Sequence, residues 1–118
     1  MRKLEVINNK HNINSVHAVD EPGSGNANHI YLVKHGGTST EIKIQHGGRD
    51  IEGSVDGVTS EDLLEIVRDF LTSCQKSRYA CAANKVAILN IENALKSLHQ
   101  RTVSRATKGC LGTNKKGD

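Results

Sequence analysis

An α+β fold is predicted by three observations. Two short alternating runs, HIYLVKH (29–35) and EIKIQH (41–46), have the two-residue period of half-buried strands. After residue 58 the period lengthens to that of amphipathic helices and stays there. Only 36% of the 118 residues are apolar, 3% are aromatic and Trp is absent, a thin supply for a free-standing core, so a homo-oligomer is expected. At this length the chain is expected to form a single domain, 1–118, made of a small antiparallel sheet with loops (1–58), a helical hairpin (59–107) and a basic tail (108–118).

The elements follow in order. LEVI, within residues 1–19, is expected to add a strand. DEPGSGNAN (20–28) holds Pro22, the only proline, and two glycines, so it marks a turn. The two alternating runs are expected to pair as an antiparallel hairpin across GGTST. GGRDIEGSVDGV (47–58) is too glycine-rich for a helix, although Ile51, Val55 and Val58 could dock on the sheet. Thr59 and Asp62 have the spacing of a capping box, and Glu61 and Asp62 suit the positive end of a helix dipole. In the first helix Leu63, Val67, Phe70 and Cys74 recur at helical spacing with Leu64 and Leu71 beside them, which predicts one apolar face through about Gln75. Residues 76–79 read as the bend. Cys81, Asn84, Ile88, Ile91, Leu95, Leu98, Thr102 and Arg105 then step by three and four as a heptad seam, which packs a second, longer helix against the first and leaves a face for a partner chain.

Charge is uneven. The formal net charge is +3, yet from residue 93 onward Lys96, Arg101, Arg105, Lys108, Lys115 and Lys116 face only Asp118. Residues 1–58 carry six Lys or Arg against seven acids. The positive field therefore belongs to the C-terminal end. No signal peptide or membrane-length apolar run is present, so a soluble, cytoplasmic protein without membrane contact is expected. Cys74, Cys81 and Cys110 lack a CxxC pair; neither a disulfide framework nor a zinc site is expected, and the thiols are expected to be buried or neutral.

The candidate binding residues lie on the helical half. Arg101 and Arg105 are four apart, so their guanidiniums share one helix flank and could grip one anion with two planar forks. The plainer alternative, a solvated helix end whose bases complement the dipole, is the commoner use of such residues. Asn84 and Arg101 are 17 positions apart, about 25 Å along a continuous helix. A small ligand touching both requires two hairpins paired antiparallel, with the pocket between subunits. Cys74 and Tyr79 are candidates for a wall that contacts base or sugar, and Tyr79 is the better platform; an aromatic plugging the hairpin core is an equally good account of it. The six histidines show no ligand spacing, no serine or cysteine sits in a nucleophile elbow, and the Gly-Gly pairs lack the lysine of a phosphate-binding loop. No catalytic residue, metal or cofactor is expected. A nucleic-acid or protein-interaction module using the basic C-terminal end stays open as the rival reading.

The segments DEPGSGNANHIYLV, VDGVTSEDLLEIV and YACAANKVAILNIENALKSLHQRTVSRATKGCLGT resemble phage proteins with the hairpin domain shared by the Thoeris anti-defence sponge (type one) and the anti-CBASS sponge, over about residues 19–113. That resemblance implies a phage-encoded, non-enzymatic protein of the infected host's cytoplasm. It would bind a cyclic nucleotide immune signal, chiefly glycocyclic ADP-ribose made by TIR-domain proteins, without cleaving it, and no nucleic-acid partner is expected. It implies a dimer or hexamer whose pocket is lined by Asn84, Arg101 and Arg105 at a subunit contact, with cyclic di- or trinucleotides as a second ligand class. One departure concerns Cys74, which stands where family members often carry a Phe that stacks on adenine. Replacing that stack would cost about 1–3 kcal/mol unless Tyr79 or an arginine face takes its place.

Overall fold

The computed structural model describes residues 1–7, 10, 13–23, 25–49 and 51–107, with side chains of the last helix described through residue 104. The Arg105 side chain and the tail 108–118 lie outside the described residues. The order of elements is β1 (Arg2–Lys3), β2 (Ser15–Ala18), β3 (Ile30–His35), β4 (Thr38–Lys43), α1 (Ser60–Cys74) and α2 (Ala82–Thr107). It is an α+β fold, a four-stranded antiparallel sheet followed by two helices. The chain divides into two compact units, Met1–Val58 and Thr59–Asp118.

In the first unit the strands follow the chain as an antiparallel meander, β1-β2-β3-β4. The β3–β4 turn is tighter than expected. His35 pairs with Thr38, so Gly36 and Gly37 alone form the loop and Thr38, Ser39 and Thr40 are strand residues. Gly36 takes φ +60° while Gly37 does not enter that region, the pattern of a type II′ turn, whose twist matches the strands it joins. LEVI is not a strand: β1 ends at Lys3, and Leu4 donates its N–H to the Val16 carbonyl before the chain leaves the sheet. Pairing register places Val16, Ala18, Tyr31, Val33 and Ile42 on one sheet face, with Lys3, His17, Lys34 and Lys43 on the other. Ala18 is the one buried apolar residue among those described.

The glycine-rich stretch after β4 is held by backbone. Ile44 bridges Val58 in parallel and His46 bridges Val55 antiparallel. At Gly57 a Cβ would sit 2.1 Å from the Lys43 carbonyl oxygen, so glycine is what allows that approach. Ile51, expected to dock, is 61% exposed.

In the second unit, Thr59 caps α1 with both arms of the capping box: its Oγ1 accepts from the Asp62 N–H at 3.1 Å, and an Asp62 carboxylate oxygen accepts from the Thr59 N–H at 2.9 Å. α1 and α2 run antiparallel. Arg68 ties their midpoints, its Nε and Nη2 each 2.9 Å from the same Glu92 oxygen. The seam of α2 is its half-buried face, including Asn84, Ile88, Ile91, Leu95, Leu98 and Thr102. Of the face expected on α1, Leu63, Leu64, Leu71 and Cys74 are half-buried, whereas Val67 and Phe70 are exposed, Phe70 by 65%. The apolar sector of α1 is wider than one neighbouring helix can cover, because Ile66, Val67 and Phe70 continue it around the flank.

Candidate ligand site on the helical hairpin

α2 is one continuous helix of 26 residues, so its two ends present separate sets of polar groups. Asn84 lies in the first turn and Arg101 near the last, about 25 Å apart at 1.5 Å per residue. A single chain therefore does not bring Asn84 and Arg101 together.

At the arginine end, Arg101 is exposed. Its neighbour Thr102 is half-buried and donates its hydroxyl to the Leu98 carbonyl at 3.1 Å, with Glu61 of α1 at 3.5 Å. That contact sets the C-terminal end of α2 beside the first turn of α1. The two acids there are already engaged: Asp62 in the capping box and Glu61 accepting from the Ser60 hydroxyl at 2.5 Å. Arg105 lies one turn beyond Arg101 on the same helix, within α2, and its side chain is among those not described.

At the bend, hydrogen bonds rather than an apolar plug hold the chain. Gln75 clamps Cys81 with both amide atoms, Nε2 donating to the Cys81 carbonyl at 3.0 Å and Oε1 accepting from its N–H at 2.9 Å. Ser77 donates its hydroxyl to the Cys74 carbonyl at 2.6 Å and accepts from the Tyr79 N–H at 3.1 Å. Cys81 then caps α2, its Sγ 3.4 Å from the Asn84 N–H. Cys74, the last residue of α1, is half-buried, Cys81 is exposed, and both are free thiols. Tyr79 is 64% exposed, so it does not fill the hairpin core. The Arg78 guanidinium carbon lies 4.9 Å from its ring centroid, and Arg78 Nη2 donates to the Tyr79 oxygen at 2.7 Å. Arg78 went unnoticed in the sequence because a lone arginine in a bend carries no spacing signal.

The sheet unit holds a polar cluster that sequence reading also missed. Asp20 accepts the N–H groups of His29 and Ile30, and Asn28, itself buried, donates to the Asp20 carbonyl and accepts from Arg2 Nη2 at 2.7 Å. Burial pushes the Asp20 carboxyl up, but the N–H groups of Ile30 and His29 outweigh it and hold the group below its ordinary value. His46 Nδ1 and His29 Nε2 are 3.0 Å apart with rings at 72°. Partial burial, and then the neighbouring His46, lower His29 from its ordinary value. Among the described residues no three His, Cys, Asp or Glu side chains gather as a metal site, and no helix is long and apolar enough to cross a membrane.

Together these features describe a hairpin with an exposed arginine near the end of α2 and an exposed aromatic ring at the bend. No family model matches the chain. Over 92 residues it is 33% identical to Thoeris anti-defense 1 of Bacillus phage SBSphiJ7, a match covering 78% of this chain and 64% of that protein, so the chain spans less than two thirds of its relative's length. With that identity running through most of both units, the chain is similar to a phage protein named for countering Thoeris defence.

Proposed function

We propose that this chain is a phage anti-defence protein that counters Thoeris by binding and sequestering a cyclic nucleotide immune signal without cleaving it, in the cytoplasm of the infected bacterium. The ligand named by this reading is glycocyclic ADP-ribose, with cyclic di- or trinucleotides as a further class. The observation that carries it is the continuity of α2, which keeps Asn84 and Arg101 about 25 Å apart in one chain. Two copies paired antiparallel would bring Asn84 of one beside Arg101 and Arg105 of the other, making two equivalent pockets between subunits. The name of the relative, Thoeris anti-defense 1, supports a role in countering Thoeris.

A sponge accelerates nothing; it has to bind tightly below the signal's concentration. Nanomolar capture corresponds to about 12 kcal/mol. Two guanidinium forks on the phosphates, charge-assisted and partly desolvated between subunits, supply orientation and much of that energy, while the Asn84 amide offers paired donor and acceptor atoms to a base or ribose edge.

The test is calorimetric titration with glycocyclic ADP-ribose, followed by heating and chromatography of the nucleotide released. Tight binding near one ligand per subunit, intact ligand on release, and loss of binding in Arg101→Ala or Arg105→Ala are expected. Wild-type affinity in both variants, or recovery of a cleaved product, overturns the reading.

A further inference from the structure

The bend between α1 and α2 carries a second recognition feature. From residue 70 to residue 91 the chain has no Asp or Glu, while it carries Lys76, Arg78 and Lys85. Among the described residues none of these three cations is held in an ion pair, whereas Arg68 on α1 is paired with Glu65 and Glu92. The first turn of α2 contains no acid, so the positive end of its dipole is not offset there. This end of the hairpin is therefore a cationic surface with an exposed aromatic ring at its centre.

The ring is fixed in place. Ser77 holds the Tyr79 N–H, Gln75 holds both backbone groups of Cys81 two residues on, and Arg78 holds the phenol oxygen. Because Arg78 donates to that oxygen, the phenol's own proton is left to donate outward, and the other guanidinium N–H groups remain for an anion. With the guanidinium against one side of the ring at 4.9 Å and 64% of Tyr79 exposed, the opposite ring face is where a second flat group can stack. A plate immobilised beforehand loses little freedom when a ligand arrives.

From this geometry we infer that Arg78 and Tyr79 act as one preassembled ligand contact, Tyr79 stacking on the base of an anionic nucleotide and donating its hydroxyl while Arg78 takes a phosphate oxygen. The inference rests on the reading of the chain as a nucleotide binder and adds two residues to it. It also gives the base a platform in a hairpin whose α1 ends on a thiol, Cys74.

The chain has no Trp and two Tyr, so a Tyr31→Phe variant leaves Tyr79 as the only strong fluorophore. In that background, titration with glycocyclic ADP-ribose is expected to quench the tyrosine emission with the midpoint seen by calorimetry. Tyr79→Ala is expected to weaken binding by about 5- to 150-fold, the range of one lost base stack. Arg78→Gln should weaken binding by a similar factor, Tyr79→Phe less, and Lys10→Ala, which removes an exposed positive charge elsewhere, not at all. Both residues are exposed, so far-ultraviolet dichroism should be unchanged in every variant. Unquenched emission with wild-type affinity in Tyr79→Ala and Arg78→Gln, while Arg101→Ala still abolishes capture, overturns this inference and leaves the function standing. No binding by the unmodified chain overturns both.

Discussion

At the scale of single residues, histidine and aspartate chemistry sets how the sheet unit responds to pH. His29 faces His46 across a 3.0 Å contact and has the Asp20 carboxylate nearby, and the two rings can share that hydrogen bond only while at least one is neutral. Folding lowers the His29 value below its ordinary 6.5, so the unfolded chain binds more protons as pH drops. The associated stability is therefore complete above about 6.5 and lost as pH falls through the folded value. His17, lowered by partial burial and then by Lys34, Lys3 and the N-terminus, adds a change of the same sign. Thermal unfolding followed by dichroism from pH 8 to pH 5 should show Tm falling below about 6.5, and His46→Gln should flatten that fall; a flat profile in the unmodified protein would contradict the assignment. The pair was not legible beforehand: residues 29 and 46 are brought together by the β3–β4 pairing and by the bond from the Ile44 N–H to the His29 carbonyl.

At the scale of elements, local chemistry was the more legible. Thr59 and Asp62 announced the start of α1, and the structure makes both bonds of the capping box at that start. Thr59→Ala removes the acceptor for the Asp62 N–H and should cost about 1 kcal/mol, read as a lower midpoint in urea with unchanged slope. No loss of stability would mean that another group caps the helix. The β3–β4 hairpin was legible as a pair and not in its boundaries. GGTST reads as a loop by composition, yet Gly36 alone supplies the positive φ that the turn needs, which releases Thr38, Ser39 and Thr40 to extend β4. β1 was missed because two residues, Arg2 and Lys3, are too short to show any period.

At the scale of the whole molecule, the outstanding feature is how little apolar surface each unit buries. Ile66, Val67 and Phe70 on α1, and Val86, Leu89 and Val103 on α2, are all exposed. A chain with such faces gains by covering them with a copy of itself, and the proposed pocket needs that copy as well. Phe70→Glu should shift the protein toward monomer in light scattering behind size exclusion, and weaken capture of glycocyclic ADP-ribose without touching Arg101. An unmodified protein that is monomeric at micromolar concentration would count against a pocket between subunits.

The amino-acid sequence by itself determined the α+β class, the order of sheet before helices, the capped start of α1 and the seam of α2, because each rests on contacts between residues near in the chain: caps, turns and the three-four period. It also carried the likeness to a phage anti-defence protein. Only the tertiary structure decided which flank of α1 meets α2, that Ser77 and Gln75 hold the bend, that Arg78 lies over Tyr79, and that Asp20, Asn28 and Arg2 join in one network. The reason is physical. The apolar sector of α1 is wider than its one neighbour, so the period fixes that a face is buried and leaves open which part of it meets α2.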